Sequence, residues 1–308
     1  MHMVAKPSLA KWAWLSVAAG VATIALKLGA YLITGSVGLL SDAMESVVNL
    51  VAAIICVVAL RIAARPADRS HPFGHGKVEY FSAGAEGIMI AVAAALIIWS
   101  AIDRLIHPQQ LEELGLGLAI TLVATLINLA VGMILLRIGR ANRSMTLVAD
   151  GKHLLTDVWT SAGVIIGVGL VAVTGWLPLD SLVAIAVGLN ILWTGWRLVH
   201  QSTQGLMDHA MSEADEEIVV ETLTAIRDAY PADQVRFHAI QTREAGQERF
   251  VSLHVLVPGD WSVATGHDVL ELVEARLCDA LPGAIVHTHL EPIDDPRSYE
   301  DDASGFDV

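Results

Sequence analysis

The chain has 308 residues, of which 54% are hydrophobic and 17% charged, with a mean hydropathy of +0.55. That is too oily for a soluble globule of this size and is the composition of a multi-span membrane protein. Residues 1–200 carry 13 Lys/Arg against 11 Asp/Glu (net +2) and residues 201–308 carry 6 against 22 (net −16); a near-neutral membrane part is followed by an acidic part, and the acidity argues against a nucleic-acid partner.

A short tail, residues 1–8, leads into six segments that qualify as membrane spans of roughly 20 residues each: about 9–33, 37–63, 81–102, 114–137, 151–174 and 179–202. The first of them is too long for the apolar core of a cleavable signal. The third and fourth are nearly free of charge, whereas the second and fifth carry polar residues that depress their hydropathy. Lys6 and Lys11 stand at the start, Arg61, Arg65, Arg69 and Lys77 between spans two and three, and Arg137, Arg140, Arg143 and Lys152 between spans four and five. The opposite connections hold only Arg104, with His107, Glu112, Glu113 and Asp180. This bias predicts that both termini, and the domain over 209–292, lie in the cytoplasm.

Beyond the spans, Ser212 followed by Glu213, Asp215, Glu216 and Glu217 reads as a helix N-terminus with acids at the positive end of the dipole. That helix is expected to run to about Tyr230, ahead of Pro231. Two strand-like runs, 234–242 and 249–257, are joined by a turn at Glu244-Ala-Gly-Gln. A helix over 267–280 is broken by Pro282-Gly283, and a last strand over 284–291 ends at Pro292. The order α-β-β-α-β describes a small α+β sandwich, with residues 293–308 an acidic tail expected to be disordered. Cys56 and Cys278 form neither a disulfide framework nor a CxxC site.

Three groups of residues carry chemistry. In the fifth span His153 and Asp157 are four apart and share a helix face; in the second, Asp42, Glu45, Ser46 and Asn49 fall at i, i+3, i+4 and i+7. Ionisable residues in a span point to a site facing the bundle interior. Two helices facing each other through Glu45, Asn49, His153 and Asp157 would offer the nitrogen and oxygen ligands of a first-row dication. The alternative is plain polar contact between spans. Asp42 and Asp150 lie a turn nearer the helix starts and are read as supporting or solvated groups. The second group is Asp68, His71 and His75, in the run His71-Pro-Phe-Gly-His75-Gly-Lys77; it can clasp a metal, or can equally be a loop pinned by its own hydrogen bonds. The third is His238, His254, His267, His287 and His289, with strand alternation placing His289 and Glu291 on one side; solvated surface histidines are its alternative.

Together, the six spans, the Gly35-Ser36-Val37 lead-in, the His71–Lys77 run, the His153-x-x-x-Asp157 pair and the terminal α+β domain resemble the cation diffusion facilitator family of metal/proton antiporters. The resemblance covers essentially the whole chain. It implies a homodimer in the inner (cytoplasmic) membrane whose cytoplasmic domains are ferredoxin-like and metallochaperone-like. It implies a transport site at Glu45, Asn49, His153 and Asp157, a loop metal site at Asp68, His71 and His75, and cytoplasmic metal ligands at His238, His254, His267, His289 and Glu291. Lys77 and Asp208 match a salt-bridge pair that interlocks the family's dimer. The function implied is export of a divalent transition metal, which is both substrate and regulator, in exchange for protons, with no organic cofactor. Zn2+ is the first choice of metal, with Mn2+, Fe2+, Co2+ and Cd2+ open. Glu45 and Asn49 depart from the Asp or His usual in zinc exporters, and an amide oxygen shifts preference toward harder ions, while Glu291 replaces an Asp. A membrane metal sensor that binds without translocating is the alternative. A passive channel and an enzyme are less favoured, since the polar residues trace no continuous path and no phosphate loop, HExxH or serine-nucleophile motif is present.

Overall fold

Six long helices run from Ala10 to Leu206: α1 (Ala10–Thr34), α2 (Val37–Ala63), α3 (Val78–Ile106), α4 (Gly115–Ala141), α5 (Met145–Thr174) and α6 (Pro178–Leu206). The computed structural model describes residues 9–34, 37–107, 115–176, 178–232, 234–300 and 305–308; the side chains of 33–34, 37–42, 45, 115–118, 164, 168, 169 and 172 are outside that description. The expected tail 1–8, the Gly35-Ser36 lead-in, and Glu112, Glu113, Asp301 and Asp302 therefore lie outside the described residues, as do the side chains of Asp42 and Glu45. The chain divides into two units, Lys6–Gln204 and Gly205–Val308.

Among the described residues α1, α2, α3, α4 and α6 are long and apolar enough to cross a membrane. α5 carries Asp150, Lys152, His153 and Asp157 in its first half. Most helices run several residues past the expected spans, because a span ends with the hydrocarbon but a helix ends at its cap. Ser144 starts α5 by accepting from the Leu147 amide at 3.3 Å, and Gly175, at φ +70°, ends it in the left-handed conformation.

Helices α1, α2, α4 and α5 pack around Ala13, Cys56, Leu60, Leu135, Leu147 and Leu154. α3 packs on α5, and its Ala83, Ile90 and Ala94 cluster with Ala149, Ile191 and Leu198. At the crossing of α4 and α5, a Cβ on Gly151 would stand 3.0 Å from the Gly132 carbonyl oxygen and 3.0 Å from the Leu136 amide nitrogen. Only a residue without a side chain lets the two backbones come this near.

The second unit follows the expected order, with α7 (Glu213–Arg227), β1 (Arg236–Ala245), β2 (Glu248–Val257), α8 (Val263–Ala280) and β3 (Ala284–Pro292). β1 and β2 form an antiparallel hairpin, and β3 joins β2 in parallel, so β2 is central. Alternation sends Val251, Leu253, Val255 and Val257 of β2 into one core with Val219, Leu223 and Ile226 of α7 and Val269, Val273 and Leu277 of α8. Helix α8 begins four residues before the expected start because Ser262 caps it, accepting from the Thr265 amide at 3.1 Å.

The acidic tail expected to be disordered is ordered over 293–300 and 305–308. Pro296–Tyr299 forms a 3-10 turn capped by Asp295, whose carboxyl is pulled down to about 2 by Arg297. Phe306 pairs antiparallel with Ile240, and the Val308 amide donates to the Phe237 carbonyl at 3.2 Å. Two apolar side chains, Phe306 and Val308, pack on the domain core and outweigh the acidity of the segment.

Candidate functional site

Three residues of the predicted membrane group, Asn49, His153 and Asp157, lie in contact. His153 (α5) and Asn49 (α2) are both buried, and His153 Nε2 lies 2.7 Å from Asn49 Oδ1. Asn49 turns its amide nitrogen to Asp157 Oδ2 in a short hydrogen bond. An amide that gives its N–H to a carboxylate presents its oxygen on the other side, so His153 carries its proton on Nε2 in this arrangement. Its Nδ1, buried, has no hydrogen-bond partner among the described residues. Glu45 sits on α2 one turn before Asn49, with its side chain outside the description.

A fourth residue joins them that the sequence reading missed. Asn128 of α4, 3% exposed, donates from Nδ2 to the same Asp157 Oδ2 at 2.9 Å. Its signal was an isolated amide in an otherwise apolar span, which spacing on one helix cannot connect to α5.

Nearer the start of α5 lies a further buried polar group. Asp150 is not solvated: it is buried and its Oδ1 accepts from Ser16 of α1 at 3.0 Å. α3 buries two acids, Glu86 within the span expected to be nearly uncharged and Glu79 just before it. Glu79 accepts from Ser144 Oγ at 2.5 Å and from the Thr146 amide at 3.3 Å, tying α3 to the start of α5. Glu86 is fully buried, and neither of its carboxyl oxygens has a hydrogen-bond partner among the described residues. The rule applied to His153, that an ionisable residue in a span faces inward, would have found Glu86, whereas Glu79 lies just before the expected start of the span.

In the loop between α2 and α3, Asp68 Oδ1 accepts from the Ser70 amide, Ser70 Oγ and the His71 amide, each at 2.8 Å. The Ser70 hydroxyl foremost, then the His71 amide, hold its carboxyl well below the usual carboxylate range. His71 Nδ1 lies 3.3 Å and His75 Nε2 3.5 Å from Asp68, and the two rings are 4.3 Å apart. The ligand atoms of all three lie within 4.8 Å of one another. Both readings of the loop therefore have footing: the carboxylate pins the turn, and the imidazoles converge on it.

In the second unit, the sheet face opposite the helices gathers the histidines. His238 is registered with His254, and His254 with His289. Glu291 is their common partner: His238 Nε2 stands 3.0 Å, His254 Nδ1 3.2 Å and His289 Nε2 3.4 Å from its carboxylate oxygens. His238, His254 and Glu291 hold ligand atoms within 4.8 Å of one another. His267 stays apart on α8, exposed and paired with Glu271 at 3.5 Å, so within one chain it is not part of this cluster. Asp208, at φ +59°, takes Arg243 at 3.1 Å. Lys77 is the residue from which α3 starts.

Residues 13–207 match the model of the cation efflux transmembrane domain, and residues 211–293 that of the cation efflux protein cytoplasmic domain. An uncharacterised transporter of Synechocystis is 50% identical over 289 residues, covering 94% of this chain and 92% of the relative. The cation-efflux pump FieF of Klebsiella pneumoniae is 29% identical over 274 residues, covering 88% of each. Among solved structures, a CzrB chain aligns with 25% of this chain and 93% of its own at 29% identity, TM-score 0.23. The metal-bound C-terminal domain of the CzcD transporter from Thermotoga maritima aligns with 28% and 99% at 19% identity, TM-score 0.25. Two family models in tandem, six long helices and a cytoplasmic α/β domain lead to one conclusion: the chain belongs to the cation diffusion facilitator family of multi-pass cation-efflux transporters.

Proposed function

We propose that the chain exports a divalent transition-metal cation from the cytoplasm in exchange for protons, at a site formed by Glu45, Asn49, His153 and Asp157. The supporting observation is the buried chain of contacts from His153 through Asn49 to Asp157, which joins α2 and α5. Metal and protons compete for the same atoms there, since ligation needs an ionised carboxylate and a bare imidazole nitrogen. Facing the cytoplasm, the site loses protons and takes the cation; facing outward, protons displace it. The FieF relatives are named as efflux pumps, which agrees with the outward direction. Zn2+ is the first choice on the Irving–Williams order at a site with imidazole, with Mn2+, Fe2+, Co2+ and Cd2+ as competitors.

In this reading the protein is a homodimer in the inner membrane, with both termini and the second unit in the cytoplasm. Asp68, His71 and His75 bind metal in the cytoplasmic loop. His238, His254, His289 and Glu291 bind cytosolic metal and raise turnover, and Lys77 and Asp208 pair in the assembled dimer.

The test is flux in liposomes holding the full-length protein with an acidic lumen. Zn2+ uptake should accelerate with the gradient and collapse with a protonophore, and His153→Ala or Asp157→Ala should bring it down to that of protein-free vesicles. Zn2+ binding without flux would identify a receptor, and flux indifferent to pH a channel; either rejects the proposal. In the same assay, His254→Ala combined with His289→Ala should leave basal flux and remove its stimulation by metal. Unchanged stimulation refutes the regulatory part alone.

A further inference from the structure

Asn128 reaches the α2–α5 cluster from α4, which the transport-site residues named above leave out. Its two terminal atoms have opposite fates. Nδ2 is bonded to Asp157 Oδ2 at 2.9 Å, while Oδ1 is buried with no hydrogen-bond partner among the described residues. A buried amide carbonyl left unpaired is disfavoured unless it serves some ligand. Asp157 Oδ2 meanwhile receives two amide N–H groups, from Asn49 and Asn128. For a cation to bind that oxygen, at least one amide must turn away, because an N–H pointed at a metal ion is repelled by it.

The turn costs little in shape. An amide keeps its outline when nitrogen and oxygen exchange places, and its terminal torsion is broad and two-fold. Turned over, Asn128 would place Oδ1 where Nδ2 now stands. Metal–oxygen bonds of about 2.0–2.2 Å set neighbouring ligands of an octahedral ion about 3 Å apart. The Asn128 terminus lies 2.9 Å from Asp157 Oδ2, and His153 Nε2 lies 2.7 Å from Asn49 Oδ1, so both pairs already stand near ligand spacing.

We propose that Asn128 is a specificity-determining ligand, whose amide nitrogen holds Asp157 and whose carbonyl oxygen, once turned, coordinates the transported dication. This rests on the reading of Glu45, Asn49, His153 and Asp157 as the transport site. Those four residues supply enough ligands to saturate tetrahedral Zn2+. A fifth, neutral oxygen serves an ion that takes five or six ligands, such as Mn2+. Asn128 therefore sets the ratio of Mn2+ to Zn2+ flux more than the flux of Zn2+ itself.

The experiment compares Zn2+ and Mn2+ flux in liposomes bearing wild-type protein, Asn128→Leu, which keeps the volume without the oxygen, and Asn128→Asp, which keeps an oxygen. Asn128→Leu should lower Mn2+ flux about tenfold or more while Zn2+ flux stays within about threefold, and Asn128→Asp should keep Mn2+ flux within about threefold of wild type. Equal loss of both ions in Asn128→Leu would mark a purely structural residue and overturn the proposal. So would no loss at all, a loss of Mn2+ flux in Asn128→Asp as deep as in the leucine variant, or a wild-type protein that moves Zn2+ but no Mn2+. If the wild type moves neither ion, the export reading itself fails, a result distinct from all of these.

Discussion

Asp157 is the residue on which the proposed transport site turns, because the side chains of three helices meet at its carboxylate. Asn49 bridges it to His153, and Asn128 reaches it from α4. The Asn49–His153–Asp157 part was legible in the sequence, since i,i+4 spacing on two spans defines two facing stripes. Asn128 was not, because which helices adjoin is a property of packing. Asp150 shows the same limit: spacing placed it a turn from His153, but only the position of Ser16 on α1 shows it to be buried and bonded. The character of the bridge at Asn49 leads to a prediction. Asn49→Asp sets a second carboxylate against Asp157, and two adjoining anions in a buried site require a shared proton or a cation. Zn2+ should bind about tenfold tighter, and its advantage over Mn2+ in flux competition should widen. Release should become the slow step, lowering flux at saturating Zn2+ more than flux at low Zn2+. Unmoved selectivity in a Zn2+/Mn2+ competition would show that the neutral amide has no part in choosing the ion.

The crossing of α4 and α5 is what makes Asn128 available to Asp157. The helices meet through Gly132 and Gly151, where a Cβ on Gly132 would stand 3.1 Å from the Gly151 carbonyl. Backbone atoms on both sides leave nothing flexible to yield. Gly151→Val must separate the helices, at a cost of about 1–3 kcal/mol by the usual scale of overpacking. It should lower the unfolding temperature in detergent and depress Zn2+ and Mn2+ flux alike, unlike the ion-selective loss expected of Asn128→Leu. Full flux of both ions at wild-type stability would mean that the crossing does not set the site. Helix existence and order were readable from apolar runs, and the α-β-β-α-β order from periodicity and turn residues. The tail was misjudged because its acids were counted and Phe306 and Val308 were not. Their docking along β1 depends on an open strand edge that only the sheet order reveals.

Across the whole chain, the charge bias predicts one topology for six spanning helices. Basic residues collect in the connections α2–α3 and α4–α5, and the α3–α4 and α5–α6 connections hold few. Six crossings return the chain to the side on which it began, so Gly205–Val308 should share a compartment with the two basic connections. A near-neutral span region followed by a segment of net charge −16 fits this division, since the acidic unit need never cross the bilayer. Single cysteines can read the arrangement in whole cells. Cys56 is buried and Cys278 exposed, so a background with Cys278→Ser and Cys56→Ala is silent to a thiol reagent. In it, His107→Cys and Trp176→Cys, both at exposed positions, should react with a reagent that cannot cross the membrane. Arg69→Cys and Met207→Cys, exposed as well, should react only after the cells are opened. The reverse pattern would invert the protein and, with it, the direction in which a proton gradient drives the cation. A mixed pattern would mean that one of the six helices does not span, and α5, whose first half carries Asp150, Lys152, His153 and Asp157, is the helix for which that outcome would be most telling.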